Sequence, residues 1–146
     1  MFRGSTVATI DDKGRLKVPT DFRRALEERF GAEFFITSVA GDHALVDPLP
    51  VWEEIESRLS ALPATDRVKE RYLERVSYFG QQSRLDGQGR LLVPTILRSS
   101  ASMSGEVVVS ARIDHLVVWN RERFEKRLTE HPFTDEDFSL LSERGI

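Results

Sequence analysis

The chain has 146 residues, 40% of them hydrophobic, and no cysteine, so a core can form but neither a disulfide framework nor a thiolate metal site can. It contains no run of 18 apolar residues, which excludes a membrane-spanning helix. The opening MFRGSTVATIDDKGR lacks the apolar stretch of a secretory signal, so a cytoplasmic location is expected. The net charge of −3 argues against a uniformly basic nucleic-acid binder, yet the charge is segregated: residues 1–24 carry six basic and three acidic groups, 25–66 two and nine, 67–84 five and two. Such a chain can present one basic face.

The polar, alternating STVATI predicts a first strand, ending at the tight turn DDKG, where Gly14 supplies a positive φ. After Arg15 comes a short strand, LKV, with Leu16 and Val18 facing one way and Lys17 the other. Pro19 opens a helix, PTDFRRALEERF, whose stripe is Phe22, Leu26 and Phe30 and whose stop is Gly31. EFFITSVAGDHALVDP reads as a hairpin turning at AGD. PVWEEIESRLSAL reads as a helix with Trp52, Ile55 and Leu59 inward. A connecting helix follows in PATDRVKERYLERVSYFG, capped by Thr65 or Asp66, with Val68, Tyr72 and Val76 as its stripe.

The pattern then starts again. QQSRL precedes the turn DGQG with Gly89; Arg90, the strand LLV and Pro94 follow, and the serine-rich helix PTILRSSASMSG is expected to be shorter and weaker. EVVVSARIDHLVVW reads as a hairpin turning near RID, and NRERFEKRL as a helix with Phe124 and Leu128 inward. The tail HPFTDEDFSLLSERGI predicts a last helix capped by Thr134, with Phe133 and Phe138 spaced as a hydrophobic staple.

DDKGRLKVPTDFR, from Asp11, and DGQGRLLVPTILR, from Asp86, are identical at eight of thirteen positions. The unit of strand, turn, strand, helix, hairpin and helix is therefore used twice. The expected fold class is α+β and β-rich: a pseudo-two-fold domain in which each copy completes the other's sheet, with flanking helices. The division expected is 1–62 for the first repeat, 63–80 for the connecting helix, 81–130 for the second repeat and 131–146 for the tail.

The shared chemistry is an aspartate four residues before an arginine: Asp11 with Arg15, and Asp86 with Arg90. An arginine fork suits phosphate oxygens or the O6 and N7 edge of guanine, and a nearby carboxylate can hold that fork in one orientation. Copy one adds Lys13, Lys17, Arg23 and Arg24, with Arg3 nearby; copy two has Gln88, Leu92, Arg98 and Ser99. Because Lys13 and Lys17 flank Arg15, copy one is expected to lead in contacting DNA. An outward Leu92 prefers another protein surface to water. Arg67, Lys69, Arg71 and Arg75 read as a solvated helix face or a subunit contact. His43 and His115 each follow an aspartate in a turn and lack the converging ligands a metal needs, so no metal or cofactor is expected. No catalytic signature such as G-x-S-x-G, H-E-x-x-H or a P-loop occurs, so no enzyme is expected.

The two loop motifs resemble the swapped-hairpin domain of the AbrB and SpoVT transcription factors. Two copies in a chain of this length, beginning MFRG and with DPLPVWEEIESRL after the first, resemble the MraZ family, regulators associated with the bacterial division and cell-wall gene cluster. The resemblance covers most of the chain and is weakest after about residue 130. It implies a swapped-hairpin β-barrel, a repressor-like protein on double-stranded promoter DNA in the nucleoid, and Asp11, Arg15, Asp86 and Arg90 in loops presented to that DNA. It also implies a homo-oligomeric ring of eight or more chains. Two other functions stay open: an antitoxin-type protein that binds a partner through its tail, and a scaffold or enzyme that uses the ring alone.

Overall fold

The computed structural model describes residues 2–146. In chain order the elements are β1 (Ser5–Ile10), β2 (Arg15–Lys17), α1 (Thr20–Phe30), β3 (Glu33–Thr37), β4 (Ala44–Pro48), α2 (Leu49–Ser60), α3 (Arg67–Phe79), β5 (Gln81–Arg84), β6 (Arg90–Leu92), α4 (Thr95–Ser100), β7 (Gly105–Arg112), β8 (His115–Asn120), α5 (Arg121–Glu130) and α6 (Asp135–Glu143). The repeat is thus β1–β2–α1–β3–β4–α2 and then β5–β6–α4–β7–β8–α5, with α3 between the copies.

The eight strands form one antiparallel sheet in the order β5-β3-β4-β8-β7-β1-β2-β6. Each copy lends its first strand to the other copy or takes one from it. β1 pairs with β7 over six residues, from Ser5↔Ser110 to Ile10↔Gly105, and β5 pairs with β3 from Glu33↔Arg84 to Ile36↔Gln81. The pseudo-two-fold then passes between β4 and β8 and between β2 and β6, the two places where equivalent strands meet. β5 and β6, the two ends of the order, are consecutive in the chain. The Leu92 N–H donates to Ser83 Oγ at 3.1 Å, so the sheet nearly closes into a barrel.

The core is what strand alternation demands. Leu16, Val18, Leu91 and Val93 are buried, whereas Lys17 and Leu92 stand outward. Phe34, Ile36, Val46, Val107, Val109 and Leu116 fill the rest of the interior, with Phe22 and Leu26 of α1 and Leu97 of α4 packed over it. Pro19 and Pro94 occupy the cap position just before their helices, not the first turn. Copy two's helix is indeed the shorter, six residues against eleven. The RID turn is a two-residue connection, Ile113 and Asp114, inside the Arg112↔His115 pair.

Local capping follows the sequence. Asp66, not Thr65, caps α3, accepting from Val68 N–H at 2.9 Å and Lys69 N–H at 3.0 Å. Thr134 and Asp137 form a capping box on α6, and Phe133 meets Phe138 edge-on at 4.7 Å. Two stripe positions fail. Val68 is 66% exposed and Leu128 59% exposed. Helical spacing reports which residues share a face, not whether that face is covered.

The β4–β8 seam carries one buried charge. Asp47 is 5% exposed on the wall of a cleft of about 450 Å3 that Arg29, Glu54, Arg58, Tyr72, Asp114 and His115 also line. Burial pushes its carboxyl up to about 6; His115 pulls the other way and Asp114 adds to the rise. Between the ordinary value of 3.8 and about 6 the unfolded chain releases this proton while the folded chain keeps it. Native stability therefore falls as pH rises across that window, and below it the ionisation penalty is absent. Asp47→Asn is expected to raise stability at neutral pH by roughly 1–3 kcal/mol and to leave it nearly unchanged near pH 3.5, which melting curves at the two pH values will check.

Candidate nucleic-acid interface

Loop 1, residues 11–14, joins β1 to β2, and loop 2, residues 86–89, is its repeat equivalent. Each is wound round its aspartate. Asp11 Oδ1 accepts from Lys13 N–H at 3.1 Å and Arg15 N–H at 2.9 Å, and its Oδ2 accepts from Arg15 Nε at 2.8 Å. Asp86 repeats the set: Gln88 N–H and Arg90 N–H both at 2.9 Å, and Arg90 Nε at 2.8 Å. Gly14, with φ +84°, and Gly89, with φ +73°, close the turns in a conformation that other L-residues adopt only with strain. The carboxylates respond to these donors. The Arg90 N–H, then the Arg90 side chain and the Gln88 N–H, bring Asp86 down to about 2, and the Arg15 N–H leads in lowering Asp11. Both loops therefore keep their carboxylates ionised at working pH.

The two loops are brought together by the β2–β6 pair, in which Arg15 faces Leu92, Leu16 faces Leu91 and Lys17 faces Arg90. Because Leu16 and Leu91 point into the core, Arg15, Lys17, Arg90 and Leu92 share the outward face. Arg15 and Arg90 are diagonal neighbours on it, and Arg90 Nη1 lies 4.0 Å from Asp11 Oδ2, so the Arg90 guanidinium borders both loops. The Val18 N–H donates to the Gly89 carbonyl at 3.1 Å and the Val93 N–H to the Gly14 carbonyl at 2.9 Å, stitching each loop to the other copy.

What the aspartates leave unused matters most. Each arginine donates its Nε to its own aspartate, while the terminal Nη groups of Arg15 and Arg90 make no hydrogen bond among the described residues. A guanidinium held by one edge and open at the other is oriented to engage an outside acceptor. Four cations, Lys13, Arg15, Lys17 and Arg90, outnumber the three carboxylates Asp11, Asp12 and Asp86 around them.

The remaining sequence candidates divide. Lys17 is sequence neighbour to Arg15, but the pairing sets it against Arg90, and its Nζ donates to the Gln88 carbonyl of loop 2. Lys13 is exposed in loop 1. Arg24 is exposed on α1, one position after Arg23, and makes no side-chain hydrogen bond or ion pair among the described residues. Arg3 precedes β1 and so lies at the far end of that strand from loop 1, roughly 20 Å away at about 3.3 Å per residue. Arg23 turns inward, its Nη1 donating to Glu27 at 3.1 Å and its Nε buried. Its repeat equivalent, Arg98, was not among the candidates. The one signal that could have found it is that it is among the eight identities of the repeat.

Neither His43 nor His115 belongs to this face. His43 Nδ1 is 2.6 Å from Asp42 and its ring stacks on Trp119 at 4.5 Å; His115 Nδ1 is 3.0 Å from Asp114. Among the described residues no cluster of three or more His, Cys, Asp or Glu could hold a metal ion.

The Asp–Arg geometry is checked by following the Asp86 carboxyl by NMR as pH is lowered: its midpoint is expected at about 2. Arg90→Ala is expected to raise that midpoint only part of the way towards the ordinary value of 3.8, because the Arg90 N–H, the larger cause, survives the substitution.

A family model described as "MraZ protein, putative antitoxin-like" matches this chain twice, over residues 1–75 and 80–145. A protein of Acidobacterium capsulatum, "Transcriptional regulator MraZ", is 44% identical over 146 residues, the whole of both chains. Proteins with the same description are 43% identical in Koribacter versatilis, again over the whole of both chains, and 34% identical in Escherichia coli O127:H6, over 89% of this chain and 86% of that one. With both repeats matched, full-length identity at this level and the paired loops on one barrel, the chain belongs to the MraZ family.

Proposed function

We propose that this protein is a transcriptional regulator, not an enzyme, and that it binds double-stranded promoter DNA through the outward face of β2 and β6. The observation that carries the reading is the pair of half-held arginines. Arg15 and Arg90 are oriented by Asp11 and Asp86, are diagonal neighbours, and carry no hydrogen bond on their terminal Nη groups among the described residues, Arg90 Nη1 lying 4.0 Å from Asp11 Oδ2. Such forks read guanine edges or grip phosphates at little ordering cost. Lys13 and Lys17 supply phosphate attraction around them, and Gly14 and Gly89 permit the loop shape. Arg24, exposed on α1, serves in this reading as a flanking phosphate contact. Arg3, at the far end of β1, would serve only DNA that runs along that strand.

The organisation that supports this role is a first repeat over 1–62, a connecting helix over 63–80, a second repeat over 81–130 and a helical tail over 131–146. One protomer neutralises few phosphates and binds weakly alone. A homo-oligomeric ring of eight or more, presenting several such faces to tandem promoter repeats, gains by effective concentration. Exposed Leu128, Phe133, Phe138 and Leu140 on and beside α5 and α6, together with the oppositely charged 25–66 and 67–84 segments, supply surfaces for that assembly. No described helix is long and apolar enough to cross a membrane. A nucleoid-associated cytoplasmic location follows from the DNA reading.

Two measurements test this. Light scattering at micromolar concentration is expected to give several times the 16.7 kDa chain mass; a clean monomer overturns the assembly. In titrations against DNA from upstream of the protein's own gene, Arg15→Ala and Arg90→Ala are each expected to weaken binding by roughly 1–3 kcal/mol. The two losses should be similar, because Lys17 supports Arg90 rather than Arg15 alone. Log affinity should fall linearly with log salt, with a slope of about −0.9 per phosphate engaged. Normal binding by a folded Arg15→Ala variant removes the proposed interface.

A further inference from the structure

Arg23 and Arg98 occupy the same place in the two copies, each on the helix that follows its Pro-Thr pair. Each crosses to the other copy's loop. A Cβ built on Gly14 would lie 2.4 Å from the Cζ and Nη1 of Arg98 and 2.5 Å from its Nε; one built on Gly89 would lie 2.8 Å from Arg23 Nε and 2.9 Å from its Cδ. The guanidinium of Arg98 thus lies with its face against Gly14 of loop 1, while Arg23 lays its Cδ–Nε stem against Gly89 of loop 2. The far edges are anchored within their own helices, Arg98 Nη2 to Thr95 Oγ1 at 3.1 Å and Arg23 Nη1 to Glu27 Oε1 at 3.1 Å. The Nε of both is buried without a hydrogen-bond partner, so neither nitrogen can reach an outside phosphate. A buried donor left unpaired is costly and is unexpected for an arginine whose role is only to be charged.

We infer that Arg98 and Arg23 are positioning residues acting across the pseudo-two-fold: Arg98 of copy two seats the DNA-reading loop of copy one, and Arg23 of copy one seats that of copy two. This rests on the DNA reading of the loops, and it moves Arg23 from contacting DNA to supporting the loop that does. The physical reason is division of labour. Asp11 fixes the internal shape of loop 1 but not its attitude to the barrel. The flat guanidinium beneath Gly14, one helical turn beyond the Val93 to Gly14 backbone bond, fixes that attitude. The glycine is then required twice over, for its positive φ and because any side chain would occupy the space of the arginine. Neither loop can be seated without the other copy, so the two arginines of the outward face keep a fixed spacing.

The test uses the full-length protein and separates the seat from its purpose. Amide hydrogen exchange without DNA reads the seat. Arg98→Ala is expected to speed exchange at Gly14 and Arg15 by roughly tenfold or more while Gly89 and Arg90 stay as in the wild type, and Arg23→Ala is expected to do the reverse. Arg98→Lys, which keeps the charge but not the plane, should behave like Arg98→Ala. Uniform acceleration in both loops, or none at Gly14, overturns the cross-copy seat, and rescue by lysine overturns the role of the plane. DNA titration reads the purpose. Adding Arg98→Ala to Arg15→Ala should cost no more than about twofold, whereas adding it to Arg90→Ala should multiply the two losses. Multiplication with Arg15→Ala as well would make Arg98 an independent contact and overturn the inference. If Arg15→Ala itself binds normally, the DNA reading falls, while the exchange pattern still decides the seat.

Discussion

The short antiparallel pairing of β2 with β6 is the contact on which the proposed interface depends. It is only three residues long on each side, yet it sets three things at once. It buries Leu16 against Leu91, both fully inaccessible to solvent. It turns Arg15, Lys17, Arg90 and Leu92 outward as one group. It also lets Val18 and Val93 donate across the seam to the carbonyls of Gly89 and Gly14. A ladder this short is marginal by itself. It holds because the strands before it are committed elsewhere: β1 to β7 over six residues and β5 to β3 over four. The strand exchange that makes the two copies inseparable is what makes a two-loop surface possible.

The electrostatics follow from that arrangement rather than from composition. A chain with net charge −3 presents a small face where lysines and arginines exceed carboxylates by one, and the carboxylates there orient the cations instead of cancelling them. An aspartate that accepts two backbone N–H groups and one arginine Nε is a structural acceptor first and a counter-ion second, which is why its proton affinity falls so far. Asp47 shows the opposite case. It is buried, its ionisation is disfavoured, and its one helpful neighbour is His115.

The pseudo-two-fold is obeyed by the backbone and broken by side chains. Counted from the Asp-His pairs at 42–43 and 114–115, the position matching Asp47 is Trp119. His43 accordingly stacks on Trp119, while His115 lies beside Asp47, so one seam junction is aromatic and the other charged. The same divergence puts Lys17 opposite Arg90 but Leu92 opposite Arg15. Each copy has therefore kept the groups that shape its loop, the aspartate, glycine and arginine, while the surroundings have specialised.

The sequence by itself determined what depends on near neighbours. The positive φ at Gly14 and Gly89 follows from residue type. The inward Leu16 and Val18 follow from strand alternation, and the capping box at Thr134 from residues three apart. The Asp-x-x-x-Arg loops were legible for the same reason, since every donor to Asp11 lies within four residues of it. Repetition even disclosed that the copies are equivalent. Tertiary structure alone decided which copy each group serves. Proximity in sequence groups Lys17 with Arg15, two residues away, but the register of β2 on β6 gives it to loop 2. Local sequence offers Arg23 as a DNA-contacting cation and does not single out Arg98, because an arginine packed on a glycine of the other copy's loop leaves no local periodicity to detect. Val68 and Leu128 show the complementary limit: helical spacing aligns them with their stripes, but burial is a property of what lies opposite, and nothing in their own segments specifies that.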